Sequence, residues 1–319
     1  MSGRYFIGLD IGGTTMKSAV VTDAGRLASQ PVSRPTEPSR GPAHGVAMML
    51  ELVREATTAC GISLEAVAAI GVATPGPVDL VRGVMLNPPN LKPWRDVPVR
   101  EAIAAEFSKP TAFQNDANAA ALGESWVGAG RGRRSFVLFT LGTGIGGGIV
   151  LDGRLLEGAH GHGGELGHVK IVPDGRLCAC GRRGCLEAYV NAGAVVARMR
   201  EALADAGPPG ERWRGEFTAE QVFAAAEAGD ATAAGVIADT ARLLGVAAAN
   251  VMHVVDPEVI AFGGGMAAAG SRFLDAIRRA ARENAFAVPA ERCEIRAAEL
   301  GTTAGIIGAA ACARQLIAS

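Results

Sequence analysis

The sequence predicts an α/β protein, and three observations carry that reading. Strand-like apolar runs alternate with runs of helical periodicity along the 319 residues. Three glycine clusters, Gly12-Gly13, Gly142 to Gly148 and Gly263 to Gly265, each close a strand-like run. Hydrophobic residues make up 49% of the chain, ample for one large core or two, which excludes global disorder.

Residues 4–10 (RYFIGLD) and 15–22 (TMKSAVVT) are apolar runs joined by Ile11-Gly12-Gly13-Thr14, which predicts a β-hairpin. Four prolines in 29–43 predict a loop, and Val46, Met49, Leu50, Val53 and Ala56 predict a helix over 44–60. Residues 67–73 read as a buried strand stopped by Thr74-Pro75-Gly76-Pro77, and 86–98, with four more prolines, as a loop. A helix at 98–107, a strand at 111–114 and an alanine-rich helix at 117–127 follow. Residues 135–141 and 149–151 are strands around the glycine turn, and Asp152-Gly153 marks a tight turn. Helices are expected over 187–206, 219–228, 231–254, 270–286 and 303–317, with strands at 259–262 and 294–297. The units GLDIGGT and TLGTGIGG echo one another, a hint of two related halves.

Lys+Arg 31 against Asp+Glu 32 leaves a net charge of −1, which argues against a nucleic-acid-binding protein. Aromatic residues, at 5%, are too few for a stacking platform. No apolar run of about 18–20 residues escapes interruption by charge or glycine, so no membrane partner is expected. The start, MSGRYFIGLDIGG, lacks a signal-peptide pattern, and a cytoplasmic location is the expectation. In that compartment six cysteines do not suggest a disulfide framework. Cys60, Cys293 and Cys312 are scattered and read as core residues.

Glycine at strand ends lets backbone N–H groups approach an anion with no Cβ in the way. Thr14, Thr15, Thr140 and Thr143 add hydroxyls beside two of these turns. Lys17, one of four lysines, follows the first, and Asp10 precedes it, placed to hold Mg²⁺ through water. No GxxxxGK[ST] occurs, so this is not a P-loop protein. Gly142, Gly144 and Gly147 match GxGxxG, yet a strand and an Asp-Gly turn follow where a dinucleotide fold needs a helix. Asn115 and Asp116 open the alanine-rich helix. Either can cap it; with Asn115 as cap, Asp116 is left to act as a general base for an attacking hydroxyl.

Residues 157–168, EGAHGHGGELGH, set two carboxylates and three histidines among five glycines, a pattern suited to a polyol. His160 and His162 read as solvated loop residues. In CACGRRGC, Cys178, Cys180 and Cys185 leave one position open for a tetrahedral site, and His168 is the nearest fourth ligand, so structural Zn²⁺ is expected. Arg182 and Arg183 are too few to support a nucleic-acid-binding zinc knuckle.

Together these residues resemble the ROK family of bacterial sugar kinases and repressors, within the actin-like ATPase superfamily. The resemblance runs over essentially the whole chain: GLDIGGTTMK (8–17), ATPGPVD (73–79), QNDANAAALGE (114–124), TLGTGIGGGIV (140–150), GHGGELGHVKI (161–171), CACGRRGCLEAY (178–189) and AFGGG (261–265). It implies a two-lobed actin-like ATPase (ribonuclease H-like) fold with an interlobe active-site cleft for ATP and a hexose. The expected lobes are 1–114, completed by 302–319, and 115–301, with hinges near 112–116 and 298–303 and closure on sugar binding. By motif match Asp116 is the catalytic base. Gly76, Asn115, Asp116, Glu165, His168 and Glu187 contact the sugar. Gly12, Gly13, Thr14, Thr15, Lys17, Gly142, Thr143 and Gly144 hold phosphates, and Gly263, Gly264 and Gly265 lie by the nucleoside. His168, Cys178, Cys180 and Cys185 hold zinc. The implied activity is ATP-dependent phosphorylation of a hexose at its 6-OH, glucose first. The alternatives are N-acetylglucosamine, N-acetylmannosamine, mannose or fructose. A sugar sensor without catalysis is the rival of another class, against which Asp116 and Lys17 speak. A homodimer or homotetramer is expected. In this sequence residue 114 is Gln where many such glucokinases are acidic, and no helix-turn-helix precedes residue 4, which points to the kinase branch.

Overall fold

The computed structural model describes residues 3–206 and 213–318, so residues 1–2, 207–212 and 319 of the expected lobes lie outside the described residues. Two five-stranded sheets organise the chain. The first joins β1 (Tyr5–Ile11), β2 (Thr15–Thr22), β3 (Val32–Pro35), β4 (Val67–Thr74) and β7 (Thr111–Asn115) in the order β3-β2-β1-β4-β7. β1 is antiparallel to β2 and parallel to β4, and β4 is parallel to β7. β5 (Val78–Asp79) and β6 (Val84–Met85) form a small separate pair. The second large sheet joins β8 (Ser135–Leu141), β9 (Ile145–Leu151), β10 (Arg154–Leu155), β11 (Val259–Gly263) and β12 (Glu294–Ala297) in the order β10-β9-β8-β11-β12. Each sheet thus runs third, second, first, fourth, fifth, which gives the echo of GLDIGGT in TLGTGIGG a structural counterpart.

Alternation along β1 sends Ile7, Leu9 and Ile11 to one face of the first sheet. They meet Met49, Leu52, Val53 and Ala56 of α1 (Pro42–Cys60) and Val99, Ile103 and Phe107 of α2 (Val99–Phe107) in one core. Phe6 faces the other way, toward Ile306, Ala310 and Ala313 of α10 (Ala304–Leu316). Gly8 of β1 pairs with Gly71 of β4. A Cβ at either would lie 1.9 Å from the Ile306 carbonyl oxygen or 1.8 Å from that of Ala309. These two bare positions let α10 lie directly on the strands. Gly308 does the same toward α3 (Asp116–Val127), since a Cβ there would lie 1.9 Å from the Ala119 oxygen.

The chain divides into a first unit, residues 1–132, 148–163 and 300–319, and a second, 133–147 and 164–299. The lobe boundary expected at 114/115 is therefore moved. α3 stays in the first unit because it packs along α10, its Ala119 sharing a cluster with Ala73 and Ala309.

The second unit adds α4 (Glu187–Val190), α5 (Ala192–Ala206), α6 (Ala219–Glu227), α7 (Ala231–Val255), α8 (Ser271–Asn284) and α9 (Ala287–Arg292). The helix expected over 187–206 is interrupted at Asn191, whose side chain accepts from the Ala194 N–H and starts α5. β3, inside the proline-rich 29–43, and α9 were not foreseen. α7 is long and apolar enough to cross a membrane by length and composition, although Asp239 and Arg242 interrupt it, as the sequence reading expected of any such run. Half of its most apolar window is buried, and it packs against α5, α6 and α8.

Candidate active site

In the first unit the β1–β2 turn is closed by the Gly12 N–H donating to the Thr15 carbonyl at 3.0 Å. The Thr36 hydroxyl donates to the Gly12 carbonyl at 2.7 Å, and the Thr36 N–H to the Thr14 carbonyl at 2.9 Å. Asp10 and Lys17 face one another across the hairpin register. Burial pushes the Asp10 carboxyl up to about 6, with Lys17 pulling in the opposite direction. Gly305 at the start of α10 leaves room for that carboxylate, since a Cβ there would lie 2.4 Å from Asp10 Oδ2. No motif pointed to Gly305, because its contact spans almost the whole chain.

At the end of β7, Asn115 takes the capping role: its Oδ1 accepts from the Ala117 and Asn118 N–H groups at 3.0 and 3.2 Å. Asp116 also accepts from the Ala117 N–H, at 2.8 Å, which fixes its carboxylate at the first turn of α3. The Asn115 amide reaches the Gly76 carbonyl at 3.5 Å. Gly76 has φ 78°, and a Cβ there would lie 2.9 Å from Pro88 Cα. The structure therefore groups Gly76, Asn115 and Asp116. It adds Gln114, buried beneath them, whose amide donates to Glu157 Oε1 at 2.7 Å.

In the second unit two glycine turns adjoin. Gly263 pairs with Thr140 in the sheet, and a Cβ on Gly264, at φ 90°, would lie 2.4 Å from the Leu141 carbonyl oxygen. The turn Gly142–Gly144 closes through the Gly142 N–H to the Gly144 carbonyl at 3.0 Å, leaving Thr143 exposed. Glu187 backs this turn: its Oε2 accepts from the Ile145 N–H at 2.9 Å and would lie 2.9 Å from a Cβ at position 144. Glu165 and His168 share one short 3₁₀ turn, the His168 N–H donating to the Glu165 carbonyl at 3.0 Å.

The cysteine loop closes on that turn. His168, Cys178, Cys180 and Cys185 offer four ligand atoms all within 4.8 Å of one another. Cys178 Sγ lies 3.8 Å from His168 Nδ1, and Cys180 Sγ 3.7 Å from Cys185 Sγ. Ligands at about 2.3 Å from a tetrahedral zinc stand about 3.8 Å apart, so donor chemistry and spacing both fit such an ion. Lys170 Nζ, 2.8 Å from Cys185 Sγ, brings positive charge to the sulfur cluster, and Cys178 Sγ lies 3.5 Å from Glu187 Oε1. Neither contact follows from sequence spacing.

The repeated sheet order and the glycine turns at the strand ends are those of the two-lobed actin-like ATPase fold, the fold of solved ROK sugar kinases. The chain belongs to the ROK family, whose model matches residues 6–316. A glucokinase of Halalkalibacterium halodurans is 37% identical over 97% of this chain and 94% of its own length. The ROK hexokinase of Thermus thermophilus superposes with a TM-score of 0.85 at 36% identity, covering 98% of this chain and 99% of that one. A ROK glucokinase from Streptomyces griseus, solved with glucose and AMPPNP, gives 0.80 at 34% identity, covering 98% and 99%.

Proposed function

We propose that this protein is an ATP-dependent sugar kinase that phosphorylates a hexose at its 6-OH, converting glucose to glucose 6-phosphate. The observation that carries the reading is the end of β7, where Asn115 caps α3 and Asp116 is held at its first turn beside Gly76. The relatives named glucokinase, and the one solved with glucose and a nucleotide analogue, support the substrate pair.

Asp116 accepts the 6-OH proton as the sugar oxygen forms its bond to the γ-phosphorus. The bond from that phosphorus to the β–γ bridging oxygen breaks, and ADP leaves with the electron pair. Gly76, Asn115, Glu165, His168 and Glu187 hold the other hydroxyls. The backbone of Gly12, Gly13, Thr14, Thr15, Gly142, Thr143 and Gly144, with Lys17, binds the phosphates. Gly263, Gly264 and Gly265 border the nucleoside. Asp10, a carboxylate beside the first phosphate turn, suits a water-mediated Mg²⁺ ligand; when bound, that ion offsets charge on the phosphates.

His168, Cys178, Cys180 and Cys185 would hold a zinc ion, whose part would be structural, cross-linking the cysteine loop to the His168 turn. Nδ1 is the His168 nitrogen on the cysteine side, so a metal held there would leave Nε2 as the N–H donor for a sugar hydroxyl. Glu187, joined to both the cysteine loop and the Ile145 N–H, is placed by the same clamp. A cytoplasmic location and a homodimer or homotetramer belong to this reading.

The deciding experiment is a coupled assay of ADP formation over a hexose panel with ATP and Mg²⁺. Glucose is expected to give the highest kcat/KM. A higher value for N-acetylmannosamine, N-acetylglucosamine, mannose or fructose moves the substrate within the class, and no turnover with any sugar overturns the kinase reading.

A further inference from the structure

Gln114 is 2% exposed, and both ends of its amide are engaged. Its Oε1 accepts from the Asn115 N–H at 2.8 Å, and its Nε2 donates to Glu157 Oε1 at 2.7 Å. The first bond fixes the orientation of the amide, so its NH₂ group must face Glu157. Glu157 in turn belongs to a closed turn. The Gly163 N–H donates to the Glu157 carbonyl at 2.8 Å, Gly158 and Gly161 adopt φ of 73° and 76°, and a Cβ on Gly163 would lie 2.1 Å from the Leu156 carbonyl oxygen. Two residues after Gly163 comes Glu165.

We propose that Gln114 is a positioning residue for sugar binding, its amide bridging the Asn115–Asp116 backbone to the 157–163 turn through Glu157. The inference rests on the sugar-kinase reading. A hydrogen bond to a carboxylate is stronger than one between neutral groups, and this one joins elements 43 residues apart that nothing else in the sequence pattern relates. An ordinary buried amide needs partners but no particular ones. A bridge needs this donor against this acceptor, and that is the testable difference. The bridge touches backbone at the sugar end of the site, so its loss should appear in the hexose KM and leave the ATP KM alone.

Gln114→Glu places a second carboxylate against Glu157 and repels the turn. The variant is expected to raise the hexose KM about tenfold while kcat and the ATP KM stay within about twofold. The exchanged pair Q114E/E157Q restores an amide facing a carboxylate and should return the hexose KM to within about twofold of wild type. Glu157→Ala, at an exposed position, should raise it about fivefold and serves if Q114E does not fold. An unchanged hexose KM in E157A, an exchanged pair no better than Q114E, or a fall in kcat at constant KM overturns the proposal. Wild-type turnover is measured first: its absence tells against the kinase reading, whereas an active wild type with indifferent variants tells against Gln114 alone.

Discussion

Replacing Asp116 by Asn removes the proton acceptor yet keeps an oxygen that can accept from the Ala117 N–H. The variant should fold and bind sugar, with kcat lowered at least ~10²-fold, a usual general-base contribution. Steady-state kinetics beside a melting curve check this, and near-wild-type turnover rules Asp116 out as the base. Asp10 presents the opposite balance. Its carboxyl is raised from 3.8 to about 6 by burial, so the folded state holds this proton more tightly than the unfolded chain does. The stability it contributes is complete below about pH 3.8 and lost as pH rises through about 6. At pH 7 the ionised group costs about 1–3 kcal/mol, the lower end applying where water reaches the carboxylate. Asp10→Asn should therefore melt higher than wild type at pH 7–8, lose that margin toward pH 4, and lose Mg²⁺-dependent turnover. A variant no more stable at pH 8 than at pH 4, relative to wild type, refutes the strained-carboxylate account. The places of Asp116 at the start of α3 and of Asp10 beside the first glycine turn were legible, because each stands beside a strand-ending motif. Gln114's bond to Glu157 and Gly305's place beside Asp10 were not, because sequence spacing says nothing of contacts 43 or 295 residues apart.

Among the elements, those with strong periodicity or clear caps were readable, and those made by tertiary pairing were not. β3 exists because β2 offers it an edge, which outweighs the prolines around it. The glycines of β1 and β4 read as ordinary strand residues, although their purpose is the close approach of α10. The same approach at Gly308 gives a paired test. Gly308→Ala should cost about 1–3 kcal/mol, since its Cβ would collide with the Ala119 backbone. Gly235→Ala on α7, where a Cβ meets nothing within 4 Å, should stabilise by about 0.5–1 kcal/mol. Denaturant midpoints measure both, and equal effects would deny the packing argument. The cysteine loop is the element whose grouping was most legible, because thiol spacing is local. Its links to Ile145 through Glu187 and to Lys170 needed coordinates. Cys180→Ala is expected to lose bound zinc and to raise the sugar KM more than the ATP KM. Metal analysis beside kinetics decides it: wild-type protein free of zinc, or a zinc-free variant with normal sugar KM, sets the structural role aside.

At the scale of the molecule the alternation of strands and helices gave the class, and the repeated strand–turn–strand motif anticipated the repeated sheet order. The boundary at 114/115 did not hold, because a helix is assigned to a unit by what it packs on, and α3 packs on a helix nearly 190 residues further along. The first unit is discontinuous for that reason: its 132 N-terminal residues lack the helix that covers one face of their sheet. Without α10, Phe6, Ala19, Val21 and Ala69 lose Ile306, Ala310 and Ala313 and keep only the partly buried Leu27, Ala68, Ala112 and Trp126 beside them, and Gly8 and Gly71 lose the backbone that packs on them. Burying such side chains is worth about 1.5–3 kcal/mol for a large one, and the whole face is comparable to the stability of an ordinary domain. A fragment of residues 1–132 should accordingly fail to fold alone, with broad, poorly dispersed amide resonances. Adding a peptide of residues 300–319 should restore dispersion, because it supplies both the Leu300 N–H that donates to Glu124 and the apolar face of α10. A fragment of 1–132 that folds cooperatively unaided would show that α10 is an accessory to this unit, and that the 302–319 segment does not complete it.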